Sequence, residues 1–195
     1  MIRKSVCYFE KPGRENTGHC IEIAREAVKA EGYRHIAVAT TGGDTALALG
    51  GAFSGLFLSP APNIVAVTHS AGFREPNALE MSAGTRDRIE SMGIRIFTGP
   101  MLTHSLETAL AQKFSGVYPT LLIAQALRRF GEGTKVACEI VMMAVDAGLV
   151  PEDEEVLGIA GTARGADTVL LIKSAASKRF LDLRVLEVLA KPRLG

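Results

Sequence analysis

Hydrophobic positions along the chain follow two rhythms. Short unbroken apolar runs rich in β-branched side chains read as buried strands, and longer stretches with apolar residues three and four apart read as helices. Residues 6–9 form a short first strand, and Pro12-Gly13 turns the chain. Asn16 or Thr17 then caps a helix to about Glu31, with Ile21, Ala24 and Val28 on one face and Gly32 at its end. Residues 36–39 are a second strand, broken by Thr40-Thr41-Gly42-Gly43 before helical spacing begins at Asp44-Thr45-Ala46. Pro60 and Pro62 close a glycine-containing connector, and residues 64–68 are the next buried strand. A helix begun by Asn77 is expected to run to about Met92 and stop at Gly93, with a strand over 94–97.

From there the rhythm becomes sustained helix. The segments are 102–113, 119–130 with Pro119 in its first turn and Gly131 after it, and 134–147 ending at Gly148. Two more apolar runs, 156–160 and 169–172, flank a glycine turn, and the tail over 177–189 is compatible with a helix or an edge strand. Strands alternating with helices predict an α/β domain whose mostly parallel sheet is covered on both faces.

Composition narrows the class. With 195 residues, 47% of them hydrophobic, the chain can bury a full core as a single domain. The net charge is +1 with Lys and Arg scattered, which leaves no electrostatic footprint for nucleic acid or an anionic membrane. Arg128-Arg129 and Lys191-Pro192-Arg193 read as solvated surface. No long apolar span and no signal-peptide pattern are apparent, so a cytoplasmic protein is expected. Cys7, Cys20 and Cys138 are an odd set without a CxxC pair and are expected to be reduced and buried. His19, His35, His69 and His104 are too scattered for metal spacing, so no metal is expected.

Candidate chemistry lies where strands end. In Thr40-Thr41-Gly42-Gly43-Asp44-Thr45 a strand gives way to a helix through two glycines. The first helical turn has unpaired N–H groups and a positive dipole end, so this loop suits phosphate or carboxylate, with the threonine hydroxyls as further donors. It is neither a Walker A loop, having no Lys after the second Gly, nor the dinucleotide fingerprint, lacking the third Gly. A plainer reading is that Gly43 or Asp44 only caps a helix. The second loop, Gly161-Thr162-Ala163-Arg164-Gly165, carries one guanidinium suited to an oxyanion. Its plainer reading is a hairpin with an exposed Arg164, or an Arg164–Asp167 pair. His69 and Ser70 follow a buried strand where open α/β sheets bind ligands, and Thr103-His104-Ser105 repeats the grouping. His69 and Ser70 are adjacent, so their side chains diverge and they do not form a nucleophile and base pair. Glu139 and Asp146, seven apart on one helix, point at a ligand or pair with nearby cations.

The loop at Thr40–Thr41–Gly42–Gly43–Asp44–Thr45–Ala46, the strand Ile64-Val65-Ala66-Val67-Thr68, the start Gly93-Ile94-Arg95-Ile96 and the Gly161-Thr162-Ala163-Arg164-Gly165 turn resemble the C-terminal α/β domain of pyruvate kinase. With Tyr8-Phe9-Glu10-Lys11-Pro12-Gly13 and Asn16-Thr17 included, nearly the whole chain is similar to small stand-alone prokaryotic proteins built on that domain. The resemblance implies a three-layer α/β/α sandwich with a mixed, mostly parallel sheet. In it the strand ending at Ala39 neighbours the one ending near Ala160, and the two loops face each other as one anion site. In pyruvate kinase the corresponding loops bind a sugar bisphosphate effector. Thr40, Thr41, Gly42, Gly43 and Thr45 match the donor role, Asp44 departs from it, and the family's tryptophan in the second loop is absent because the chain has no Trp.

The stand-alone relatives suggest flavin mononucleotide (FMN) instead, its phosphate at residues 40–45 and its ring near His69, Gly72 and Phe73. Kinase activity is not implied, because that chemistry belongs to a separate barrel domain. Two classes of function follow. One is a module that binds a phosphorylated small molecule without chemistry, with a homo-oligomer left open. The other is a flavin-dependent oxidoreductase or phosphate-ester enzyme using His69, or the Asp167 carboxylate. The absence of a compelling acid and base pair favours binding.

Overall fold

A computed structural model describes residues 1–56 and 59–194; Phe57 and Leu58 of the expected connector, and Gly195, lie outside the described residues. The strands are β1 (Cys7–Phe9), β2 (His35–Ala39), β3 (Asn63–Thr68), β4 (Arg95–Thr98), β5 (Glu155–Ala160), β6 (Thr168–Lys173) and β7 (Arg184–Pro192). They form one sheet in the order β1-β7-β6-β5-β2-β3-β4. Only β6 runs against the rest, pairing antiparallel with β5 and β7, while the other pairs are parallel. The sheet is therefore mixed and mostly parallel.

Among the described residues, six α-helices complete the layers: α1 (Thr17–Glu31), α2 (Asp44–Phe53), α3 (Ala83–Ser91), α4 (Ser105–Phe114), α5 (Pro119–Arg128) and α6 (Glu132–Asp146). Side chains alternate across a strand, so β2 sends Ile36 and Val38 to one face and Ala37 to the other. The first face packs on Cys20, Ala24 and Val28 of α1, Ala46 and Leu49 of α2, and Ile89 of α3. The second packs on Ala137, Cys138, Val141 and Ala144 of α6. Both faces are dry, which is why the strands read as unbroken apolar runs. The outcome is an α/β/α sandwich.

Most elements lie within a few residues of their expected bounds, with instructive exceptions. The helix expected from Asn77 begins only at Ala83, because Asn77 adopts a left-handed φ of 60° and the Ser82 hydroxyl accepts from the Thr85 N–H as the true cap. The tail is a helix only in part and not an edge strand. A 3-10 turn (Ser177–Asp182) leads into β7, which lies between β6 and β1. Cys7 is exposed on the edge strand rather than buried. Burial raises the Cys20 thiol, with the charge of Asp167 assisting, and the Cys138 thiol, each to about 12.

Candidate anion and ring site

At β2 the sheet grows in opposite directions, with β3 paired on one side and β5 on the other. The helix that leaves β2 lies on one face and α6 lies on the other, so a crevice opens beyond Ala39 and Ala160. It holds a cavity of ≈ 310 Å³, at the small end of the range for ligand sites.

One wall is the first loop. Gly43 caps α2 with φ 103°, and no side chain caps that helix, so the N–H groups of its first turn keep their donor capacity. Gly43 must be glycine twice over: besides the left-handed backbone, a Cβ there would lie 3.1 Å from Ile89 Cδ1 and closer still to Thr85 Cγ2. Gly42 is open, with nothing within 4 Å of where a Cβ would stand. Thr40 is only 6% exposed. Its N–H donates to Val67 O at 3.0 Å, but its buried hydroxyl has no partner among the described residues. Thr41, Gly42 and Thr45 line the same wall, and exposed Asp44 stands at its rim.

The second loop faces it through Gly161, Ala163, Arg164 and Gly165. It joins β5 to β6 as a hairpin, and Ala163 at φ 62° and Gly165 at φ 73° bend it. Arg164 is exposed and forms no ion pair among the described residues. The alternative pairing with Asp167 does not form. Asp167 is fully buried, and its carboxylate accepts from the N–H groups of Gly13 and Thr162 and from the Thr168 hydroxyl. It braces the loop from behind and does not line the cavity.

A third wall is aromatic. The His69 and Phe73 rings lie 4.2 Å apart between centroids, and Phe73 lies 5.8 Å from the ring of His104. Glu80 accepts from His69 Nδ1 at 2.5 Å and forms an ion pair with Arg74 Nε at 2.8 Å, which ties the loop after β3 together. Desolvation holds the His104 imidazole below its ordinary value, with the Lys135 and Arg128 cations adding to the effect and Glu139 opposing it.

The fourth wall is α6, whose Glu132, Lys135, Val136, Glu139, Ile140 and Met143 form one helical stripe along the cavity. Lys135 and Glu139 are each 3% exposed and pair at 2.5 Å. Arg128, expected on the solvated surface, also lines the cavity and pairs with Glu132 at 2.6 Å. Glu139 and Asp146 part company: Asp146 accepts from the Ser177 N–H at 2.9 Å, outside this wall.

The chain matches the family described as pyruvate kinase, alpha/beta domain, over residues 19–172. It belongs to that family. Among solved structures, that of O-ureido-L-serine synthase is similar at 16% identity, covering 70% of this chain and 48% of the other, with a TM-score of 0.30. The chain thus spans about half the length of that structure, and so distant a likeness bears on neither fold nor chemistry. As a pyruvate kinase α/β domain, the chain carries β7 beyond the matched residues, and β1 pairs with it.

Within this domain the structure brings together Thr40, Thr41, Gly42, Asp44, Thr45, His69, Phe73, Gly161, Ala163, Arg164 and Gly165. Gly43, Ser70, Gly72 and Thr162 do not line the cavity. Gly43 and Thr162 support it from behind through the cap and the Asp167 bond. Gly72 turns the loop at φ 77° while its N–H donates to Ala78 O. Sequence reasoning missed Lys135, whose signal was a Lys and Glu four apart within an otherwise apolar helix. No group of three or more metal-ligating side chains occurs among the described residues, and no helix is long and apolar enough to cross a membrane.

Proposed function

We propose that the cavity binds a phosphate-bearing small molecule, with FMN the favoured ligand, and that the protein acts as a binding module without kinase activity. The observation that carries this reading is the buried Thr40 hydroxyl, without a partner among the described residues, at the end of β2 and four residues before an uncapped helix turn. Around it stand Thr41, Thr45 and an Arg164 without an acidic partner among the described residues. These donors fit a phosphate, since helix N-termini and guanidinium groups favour anions. The aromatic wall of His69 and Phe73 offers a surface for a planar ring. Residence in the cytoplasm belongs to the same reading, supported by the free thiols of Cys7, Cys20 and Cys138.

The test is titration of purified protein with FMN, riboflavin and inorganic phosphate by calorimetry. Thr41→Val with Thr45→Val removes two donors at nearly constant volume, and each lost charge-assisted bond is expected to cost about 1.5–3 kcal/mol for FMN. Riboflavin should be unaffected. Equal FMN affinity in variant and wild type would remove the phosphate assignment.

A second reading, an enzyme with His69 as acid or base, has one observation in its favour. Glu80 braces Nδ1 of His69 at 2.5 Å beside the cavity, the arrangement that orients an imidazole for proton transfer.

A further inference from the structure

Lys135 and Glu139 are buried side by side, yet the described residues do not use all of their hydrogen-bonding capacity. Lys135 Nζ donates to Glu139 Oε2 at 2.5 Å. Glu139 Oε1 accepts both the N–H and the hydroxyl of Thr103, each at 2.7 Å. An ammonium has three donors and a carboxylate about four acceptor positions. One donor of Lys135 and three acceptor positions of Glu139 are therefore taken by the described residues. What remains is donor capacity on Lys135 next to an acceptor position on Glu139, one turn apart on the stripe of α6 that lines the cavity. Buried polar groups are nearly always satisfied.

We infer that this pair is a recognition edge for a nucleobase-like ring. The cavity would then select nucleotide 5′-phosphates, whose rings present a hydrogen-bond acceptor beside an N–H donor, over simple sugar phosphates. Lys135 donates to the ring carbonyl or ring nitrogen, and Glu139 Oε2 accepts from the neighbouring N–H. Thr103 holds Glu139 Oε1, which leaves Oε2 as the oxygen with acceptor capacity to spare. The inference rests on the reading that places the phosphate at the 40–45 loop, and it adds which chemistry the other end of the ligand must carry. Flavin, uracil and adenine rings share that paired edge. Ribose 5-phosphate has the phosphate and lacks the edge.

The experiment measures binding of FMN, UMP, AMP, ribose 5-phosphate, riboflavin and inorganic phosphate to the wild type, Lys135→Met, and the Thr41→Val, Thr45→Val double variant. The expected result is that at least one nucleotide binds the wild type about tenfold or more tightly than ribose 5-phosphate. Lys135→Met should weaken that nucleotide by about tenfold or more while leaving inorganic phosphate and ribose 5-phosphate unchanged. The particular nucleotide that responds identifies the ring. The inference is overturned if nucleotides and ribose 5-phosphate bind alike, if no nucleotide binds, or if Lys135→Met weakens every phosphate equally. A different pattern marks failure of the phosphate reading alone: the threonine variant binds FMN like the wild type, while Lys135→Met still weakens FMN and riboflavin together.

Lys135→Met leaves Glu139 without its cation and can fail to fold. Ligands altered at the ring edge then replace it, with wild-type protein throughout: N3-methyl FMN or N3-methyl UMP, or N6,N6-dimethyl AMP, according to which parent binds. Loss of affinity by about tenfold or more supports the edge, and binding equal to that of the parent overturns it.

Discussion

The N–H of Gly13 donates to Oδ2 of Asp167 at 3.0 Å, across 154 positions of sequence. The same oxygen accepts from Thr162, and the other takes the Thr168 hydroxyl. Beside this, Thr17 Oγ1 accepts from the Ala166 N–H at 3.0 Å and donates to Arg14 O at 2.6 Å. Gly165 lies so close that a Cβ on it would stand 2.7 Å from the Arg14 Cα. The second loop is thus shaped from behind by the segment before α1 and by the first residue of that helix. A preset loop spends less ordering entropy when a ligand arrives.

Asp167→Asn keeps the shape but turns one acceptor into a donor facing donors. Hydrogen bonds to charged groups contribute about 1.5–3 kcal/mol each, and leaving their partners unmet adds a penalty. A loss of at least about 3 kcal/mol is therefore expected in urea unfolding. An unchanged midpoint would mean that the brace is not a source of stability.

Arg164 differs from the other cavity cations in lacking an acidic partner among the described residues: Arg74, Arg128 and Lys135 are paired with Glu80, Glu132 and Glu139. Arg164→Lys keeps the charge and loses the planar fork. It should weaken binding of FMN, and Arg164→Ala should weaken it further, with thermal stability nearly unchanged. If both variants bind FMN as the wild type does, Arg164 is a surface residue only.

His69 separates binding from catalysis. For a binding module, His69→Gln should change FMN affinity modestly, and no reaction with a reduced nicotinamide or a phosphate ester should be lost. For an enzyme using His69 as acid or base, turnover should fall by about 10²–10⁴-fold with the ligand still bound. The first outcome is expected, and assays before and after substitution decide it.

Two histidines make stability depend on pH. Desolvation lowers both His35 and His104 from the ordinary value near 6.5. Between their lowered values and 6.5 the unfolded chain binds more protons than the folded one, so stability falls as the pH drops through that window and is retained above it. Urea midpoints measured from pH 7.5 downward should decline, and His104→Gln should flatten part of the slope. A midpoint rising on acidification across that window would contradict the assignment.

The strands and both glycine loops were legible because a sheet buried on both faces leaves an unmistakable apolar run. Glycines that must adopt positive φ, such as Gly43 and Gly165, also mark their turns. The fourth wall was not legible from periodicity. Lys135 and Glu139 follow the same helical spacing as solvated pairs, and nothing local distinguishes a buried pair from an exposed one. Arg128 looked like surface for the same reason. The start of α3 was misplaced because Asn77 is a residue type that favours helix starts, whereas here it adopts a left-handed φ and Ser82 caps the helix. The loop before that cap spends Glu80 on His69 and Arg74, a tertiary relation invisible to local pattern.

The pairing of β1 with β7 sets an order of assembly. Cys7 aligns with Ala190, and among the described residues β7 alone joins β1 to the rest of the sheet. Of the described strands, the first in sequence therefore waits for the last before it has a neighbour. β2 and β5, which carry the facing loops, pair directly and need neither. During synthesis the floor of the cavity can form while its rear clamp, running from Gly13 to Asp167, is still open. Closing so long a loop costs entropy that grows only slowly with length, and until β7 pairs, the flank of β6 that it covers stays exposed to solvent and to other nascent chains.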